Sequence, residues 1–168
     1  MRQGVNSPRQ DDCLMIDSER NRLKELAKFY RSAIQLAKER GEERVGWLTR
    51  FPKDCCDHVS HLLFIFLYSH GFRGARWVTG AIGDDTHVWL QIDDTIVDIT
   101  ADQFPGADEV TVSASSDWHS QTQVRIAPVG HEGEGEDAYF GRLASHSVLS
   151  EWYGVISEFW PASSDLSS

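Results

Sequence analysis

Apolar residues recur at helical spacing from Ser18 to Arg40, where Leu23, Leu26, Ala27, Tyr30, Ala33, Ile34 and Ala37 fall on one face. Asp17 or Ser18 offers an N-cap oxygen to this helix, and Gly41 suits its end. The period is lost from Glu42 to Pro52, which reads as a loop anchored by Trp47 and Phe51. A second helix is predicted from about Cys55 to His70, stopping at Gly71 and burying a broad face through Val59, Leu62, Leu63, Phe66 and Leu67. Beyond Gly71 the texture turns strand-like. Arg76 to Ile82, Thr86 to Ile92 and Thr95 to Thr100 are β-branched and aromatic runs, punctuated by Gly83-Asp84-Asp85 and Asp93-Asp94. The latter two runs form an antiparallel hairpin through Asp93-Asp94, since Asx side chains favour tight turns. Glu109 to Val112 and Gln123 to Ala127 read as edge strands around a polar loop holding Trp118 and His119. A last amphipathic helix is expected from about Asp137 to Trp160. The predicted fold class is therefore α+β, with helices flanking a small antiparallel sheet.

At 168 residues the chain is long enough for one substantial core. Composition sets residues 1–16 apart as a loose arm whose Leu14, Met15 and Ile16 can dock on the body, 17–160 as a single domain and 161–168 as a disordered tail, with a mobile Gly/Glu-rich stretch at 130–136. Sixteen Lys and Arg against 26 Asp and Glu leave a formal charge of −10, a poor match for nucleic acid or an anionic membrane. No apolar run reaches a membrane span, and the first residues lack the apolar stretch of a secretory signal. Cysteines at 13, 55 and 56 make no even disulfide framework, and reduced thiols suit a cytoplasmic setting.

The chemistry-bearing residues come in the order Cys, His, Asp. Cys55 and Cys56 stand at the head of the second predicted helix, His87 near the start of a strand, and Asp98 in the next strand. A thiol at a helix N-terminus meets unpaired backbone N–H groups and the positive end of the helix dipole, which favour thiolate and can hold an oxyanion. An imidazole takes the thiol proton, and a carboxylate fixes the imidazole tautomer. About the 93–94 turn, Asp98 lies opposite Trp89, diagonal to His87 and on the same sheet face. Helical phase does not choose between Cys55 and Cys56, which flank the apolar face at similar angles. Cys55, Cys56, His58 and His61 also offer zinc-type donors, but Cys56 and His61 project about 140° apart on one helix, so no metal is expected. The two histidines are instead expected on a solvated helix face.

The succession of Cys56, Gly71, Gly80, His87-Val88-Trp89-Leu90 and Val97-Asp98-Ile99-Thr100 resembles the transglutaminase-like branch of the papain-like cysteine protease superfamily. The likeness covers roughly residues 51–104. Ala101-Asp102-Gln103-Phe104 extends it toward an uncharacterised bacterial group with an Asp-Ile-Thr-Ala-Asp-Gln-Phe segment. The resemblance implies a papain-like fold in which Cys56 is the nucleophile, His87 the base and Asp98 its orienting partner. The spacing from cysteine to the helix-ending glycine favours Cys56 over Cys55, although the doubled cysteine departs from the usual pattern.

The expectation is thiol-dependent acyl transfer or hydrolysis at a protein or peptide amide, as a peptidase, deamidase or transglutaminase-type enzyme, without a metal or organic cofactor. Cys55, Trp89 and Gln103 are candidate pocket residues. The competing expectations are a catalytically silent papain-like binding module and a zinc-binding adaptor.

Overall fold

The computed structural model describes residues 15–128, 135–145 and 147–161. Among these, α1 (Asp17–Glu39) and α2 (Cys56–Ser69) are followed by strands β1 (Ala75–Ile82), β2 (Asp85–Ile92), β3 (Thr95–Asp98), β4 (Thr111–Ser113) and β5 (Gln123–Pro128). Two further helices, α3 (Glu136–Ser145) and α4 (Ser147–Ser157), close the described chain. The strands form one antiparallel sheet in the order β4-β3-β2-β1-β5. The α+β class is the one the hydropathy pattern implies.

The alternation of each strand divides the apolar residues between two faces. Leu90, Ile92 and Val97 join Leu23, Tyr30, Ile34, Leu62, Leu63 and Phe66 in the main core between sheet and helices. Val78 and Trp89, one step out of phase, face the other way and meet Trp118 in a second, smaller cluster. α2 is buried on most of its circumference, from Val59 and Ser60 through Leu62 to Tyr68. Fully burying a side chain such as Leu62 or Phe66 stabilises the fold by about 1.5–3 kcal/mol, so α2 is the axis of the core. Gly71, with φ +90°, adopts the left-handed backbone that ends this helix.

Several expectations are corrected. The N-cap of α1 is Ile16, and no side chain caps the helix. Acidic residues Asp17 and Glu19 in the first turn face the dipole instead. Met15 does dock on the body: it is buried in the main core and its N–H donates to Asp94 Oδ1. Residues 1–14 of the arm, with Cys13, lie outside the described residues, as do 130–134 of the Gly/Glu-rich stretch and 162–168 of the tail. The expected C-terminal helix is described as α3 and α4, on either side of residue 146, which lies outside the described residues. Strand β3 stops at Asp98 rather than Thr100, because Thr100 folds back and donates its N–H to Asp98 Oδ1 at 2.8 Å.

Arg31 ties α1 to the chain after β3. Its buried guanidinium grips Asp102 through two bonds of 2.7 and 2.9 Å and also donates to the carbonyls of Ile99 and Glu109. One charged pair thus fixes the short 3-10 turn Ala101–Gln103 against the first helix. No helix among the described residues is long and apolar enough to cross a membrane.

Candidate active site

The hairpin of β2 and β3 pairs Leu90 with Val97, Gln91 with Ile96 and Ile92 with Thr95 around the Asp93-Asp94 turn. Asp93 takes a φ of +50° there, a conformation Asp tolerates better than most residues. This register carries His87, Trp89 and Asp98 onto the sheet face turned away from the body of α2. His87 Nε2 lies 2.6 Å from Asp98 Oδ2, and both side chains are almost wholly buried. The short distance marks a charge-assisted hydrogen bond.

The Asp-x-Thr segment explains how one carboxylate is held. Thr100 donates its N–H and its hydroxyl to Asp98 Oδ1, at 2.8 and 3.2 Å. Oδ2 is left to accept from His87 and from His119, whose Nε2 is 3.0 Å away. His119 Nδ1 lies 2.8 Å from the Ser116 hydroxyl, which donates to it when the ring carries its proton on Nε2. His119 is the member of this cluster that sequence reasoning left unassigned. Trp118-His119 stood out as an aromatic pair in a polar loop, but no periodicity links that loop to β3.

Cys56 is the first residue of α2 and is half-buried, whereas Cys55 precedes the helix and is buried in the main core. Cys56 is near enough to His87 to raise the ring's affinity for a proton. Strand β3 pairs with β2 only as far as Leu90 and Val97, so the sheet is open beside His87. Ser60, one turn into α2, donates to the carbonyl of Val88 and sets the helix head at that opening. Nε2 is engaged by Asp98, and the other ring nitrogen, Nδ1, lies 3.1 Å from Gln103 Nε2, which donates to the Thr100 carbonyl at 3.0 Å.

Charge at the site follows from these contacts. Burial opposes a charged His87, but hydrogen bonds to Asp98 and Cys56 and the charges of both outweigh it and raise the ring to about 9. Burial likewise opposes the Asp98 carboxylate, yet the hydrogen bonds from His119 and His87 hold it well below the ordinary carboxylate range. Burial pushes the Cys55 thiol up to about 12, with the neighbouring Cys56 adding to the rise. Of the two adjacent thiols, only Cys56 has both a base and access to solvent, which distinguishes them where helical phase does not.

An aromatic wall surrounds the imidazole. Trp89 stacks on His87 with centroids 5.6 Å apart, while Phe104 and Trp118 meet it edge-on at 5.3 and 5.4 Å. Gly80, directly across from His87 on β1, admits this arrangement: a Cβ there would fall 2.5 Å from Trp89 Cη2. Asp102 is spent on Arg31 and takes no part in the cluster.

His58 and His61 do not form a solvated face. Each is half-buried among aromatic rings, His58 against Trp152 at 5.2 Å and His61 against Trp77 at 4.5 Å. His87, Asp98 and His119 are the described residues whose donor atoms converge closely enough to suggest a metal. They do not fit one in this geometry, because ligands of a tetrahedral zinc at about 2.0–2.2 Å stand about 3.3 Å apart. The 2.6 and 3.0 Å contacts onto a single oxygen are hydrogen-bond spacings.

Comparison of the chain with known protein families, curated proteins and solved structures finds no match.

Proposed function

We propose that the protein is a cysteine-dependent amide hydrolase or acyltransferase with a transglutaminase-like, papain-like arrangement, in which Cys56 is the nucleophile, His87 the base and Asp98 the residue that orients it. The observation that carries this reading is the buried His87–Asp98 pair, 2.6 Å apart, with the half-buried Cys56 near enough to help raise His87. Nucleophile, base and orienting carboxylate stand in the relation that thiol acyl transfer requires.

His87, raised to about 9, holds the proton given up by the thiol as sulfur attacks the carbonyl carbon. Asp98 keeps the other ring proton on Nε2 and stabilises the imidazolium. The N–H groups of Cys56, Asp57 and His58 precede the first intrahelical bond, from Val59 N to Cys55 O at 2.9 Å. They are donors available to the oxyanion. The leaving amine takes the proton from Nδ1, and water or a second amine resolves the thioester. The substrate is a protein or peptide amide, and a reduced thiol of this kind fits the cytoplasm.

An activity-based electrophile for nucleophilic cysteines, followed by peptide mapping, tests the proposal. The expected result is selective labelling of Cys56 that falls at least tenfold in His87→Ala, in line with about 10²–10⁴-fold contributions from general bases. Equal, slow labelling of Cys13, Cys55 and Cys56 instead identifies a silent binding module.

A further inference from the structure

We propose that His119 is a positioning residue of the His87–Asp98 pair: its Nε2–H shares Asp98 Oδ2 with His87, which fixes the carboxylate and limits the hold of His87 on its proton. The role rests on the reading of Cys56 as nucleophile and His87 as its base. Asp98 is held ionised and only accepts, so both ring nitrogens that reach Oδ2 carry hydrogen, His87 Nε2 at 2.6 Å and His119 Nε2 at 3.0 Å. Thr100 fills Oδ1 through its N–H and hydroxyl. With four donors around it, the carboxylate has no free direction in which to turn.

His119 is itself held. Its Nδ1 lies 2.8 Å from the Ser116 hydroxyl, and Trp89 and Trp118 meet the ring edge-on with centroids 4.8 and 4.9 Å away. Only 4 % of the residue is exposed. Thr100 already anchors the carboxylate from the Oδ1 side, so the second donor on Oδ2 chiefly changes how charge is divided there. Two N–H groups on one oxygen share its negative charge, and each is held less tightly than it would be alone. The charged partners facing His87 are Asp98 from β3 and Cys56 from α2, while Asp102 is turned to Arg31 and Gln103 is neutral. Asp98 therefore holds the imidazolium, and His119 tempers that hold. A general acid–base works best when its affinity for the proton lies near the working pH. Without His119 the charge of Oδ2 falls to His87 alone. The imidazolium becomes a weaker acid and gives its proton to the leaving amine more slowly.

The His87 titration midpoint is read by NMR from its Cε1–H resonance, assigned by its loss in His87→Gln. In His119→Leu the midpoint should rise by about half to one pH unit, the effect of one hydrogen bond. The alkaline inflection in the pH profile of Cys56 alkylation by iodoacetamide should move with it. His119→Gln, whose amide N–H reaches the same oxygen, should return both to their wild-type positions. The wild-type protein supplies a measurement that needs no variant to fold: the His119 Nε2–H resonance should move downfield as His87 deprotonates and leaves more of Oδ2 to His119. A midpoint unmoved or lowered in folded His119→Leu, or a His119 resonance indifferent to the His87 titration, overturns the proposal. A shift that His119→Gln fails to reverse makes His119 a packing residue and overturns it too. If Cys56 alkylates no faster in wild type than in His87→Gln, the nucleophile reading falls and the catalytic role of His119 with it, even where the two imidazoles remain coupled.

Discussion

Asp98 carries the heaviest demand of any single residue, accepting from two imidazoles and from the backbone and hydroxyl of Thr100 while only 2 % exposed. In Asp98→Asn, Oδ1 still accepts from Thr100, but the amide nitrogen then faces two ring N–H groups and forces both rings to change tautomer. Activity should fall about 10²- to 10⁴-fold, and stability by about 1–3 kcal/mol, measured by turnover and by denaturant unfolding. A variant with wild-type turnover removes Asp98 from the relay. The raised His87 sets a pH dependence of definite sign. Its folded-state value of about 9 exceeds the ordinary 6.5, so the stabilisation from the protonated ring is complete below about 6.5 and is lost as pH rises through 9. Asp98 acts in the opposite sense. Its depressed value adds stability above the ordinary 3.8, lost only as pH falls through the depressed value. Thermal unfolding of wild type and His87→Gln should therefore differ most in mildly acidic buffer, with the gap narrowing above about pH 9.

Among the elements, two contacts hold the site's scaffold in place. Arg31 on α1 fixes the turn that presents Gln103, and a lysine cannot reproduce its bidentate grip on Asp102 together with two carbonyls. Arg31→Lys should cost about 2–4 kcal/mol of stability by leaving buried acceptors unpaired. It should also slow Cys56 labelling, because the turn that carries Gln103, the neighbour of His87 Nδ1, loosens. On β1, Gly80→Ala places a methyl group 2.5 Å from Trp89. The ring has to move, and overpacking of this kind costs about 1–3 kcal/mol. Trp89 stacks on His87, so the variant should lose thiol reactivity beyond what its stability loss explains, seen by comparing labelling at a temperature where both proteins are folded. Unaltered reactivity removes the aromatic wall from the machinery.

At the scale of the whole molecule, the helix head, the hairpin and the 119 loop meet at one opening in the sheet. Selectivity between adjacent thiols is a property of that meeting. In the native protein Cys56 should alkylate at least tenfold faster than Cys55, whose thiol burial raises to about 12. In denaturant the two should react at nearly the same rate, since their covalent surroundings are alike. A preference that survives unfolding places its cause in local sequence rather than in the fold.

The sequence by itself determined most of the elements and one half of the relay. Periodicities of 3.6 and 2 are local consequences of backbone geometry, so α1, α2 and the five strands are readable to within about two residues. The same parity puts His87 and Asp98 on one face once the Asp93-Asp94 turn sets the register. Tertiary structure decided the rest. Which cysteine meets the base depends on where the head of α2 lies over the gap left by β3, a long-range placement with no period. His119 reaches Asp98 from 21 residues farther along the chain, beyond β4, and Asp102 turns to Arg31 rather than to the site. Local pattern shows which face of an element is apolar, whereas closing loops against a shared core decides which polar side chains meet.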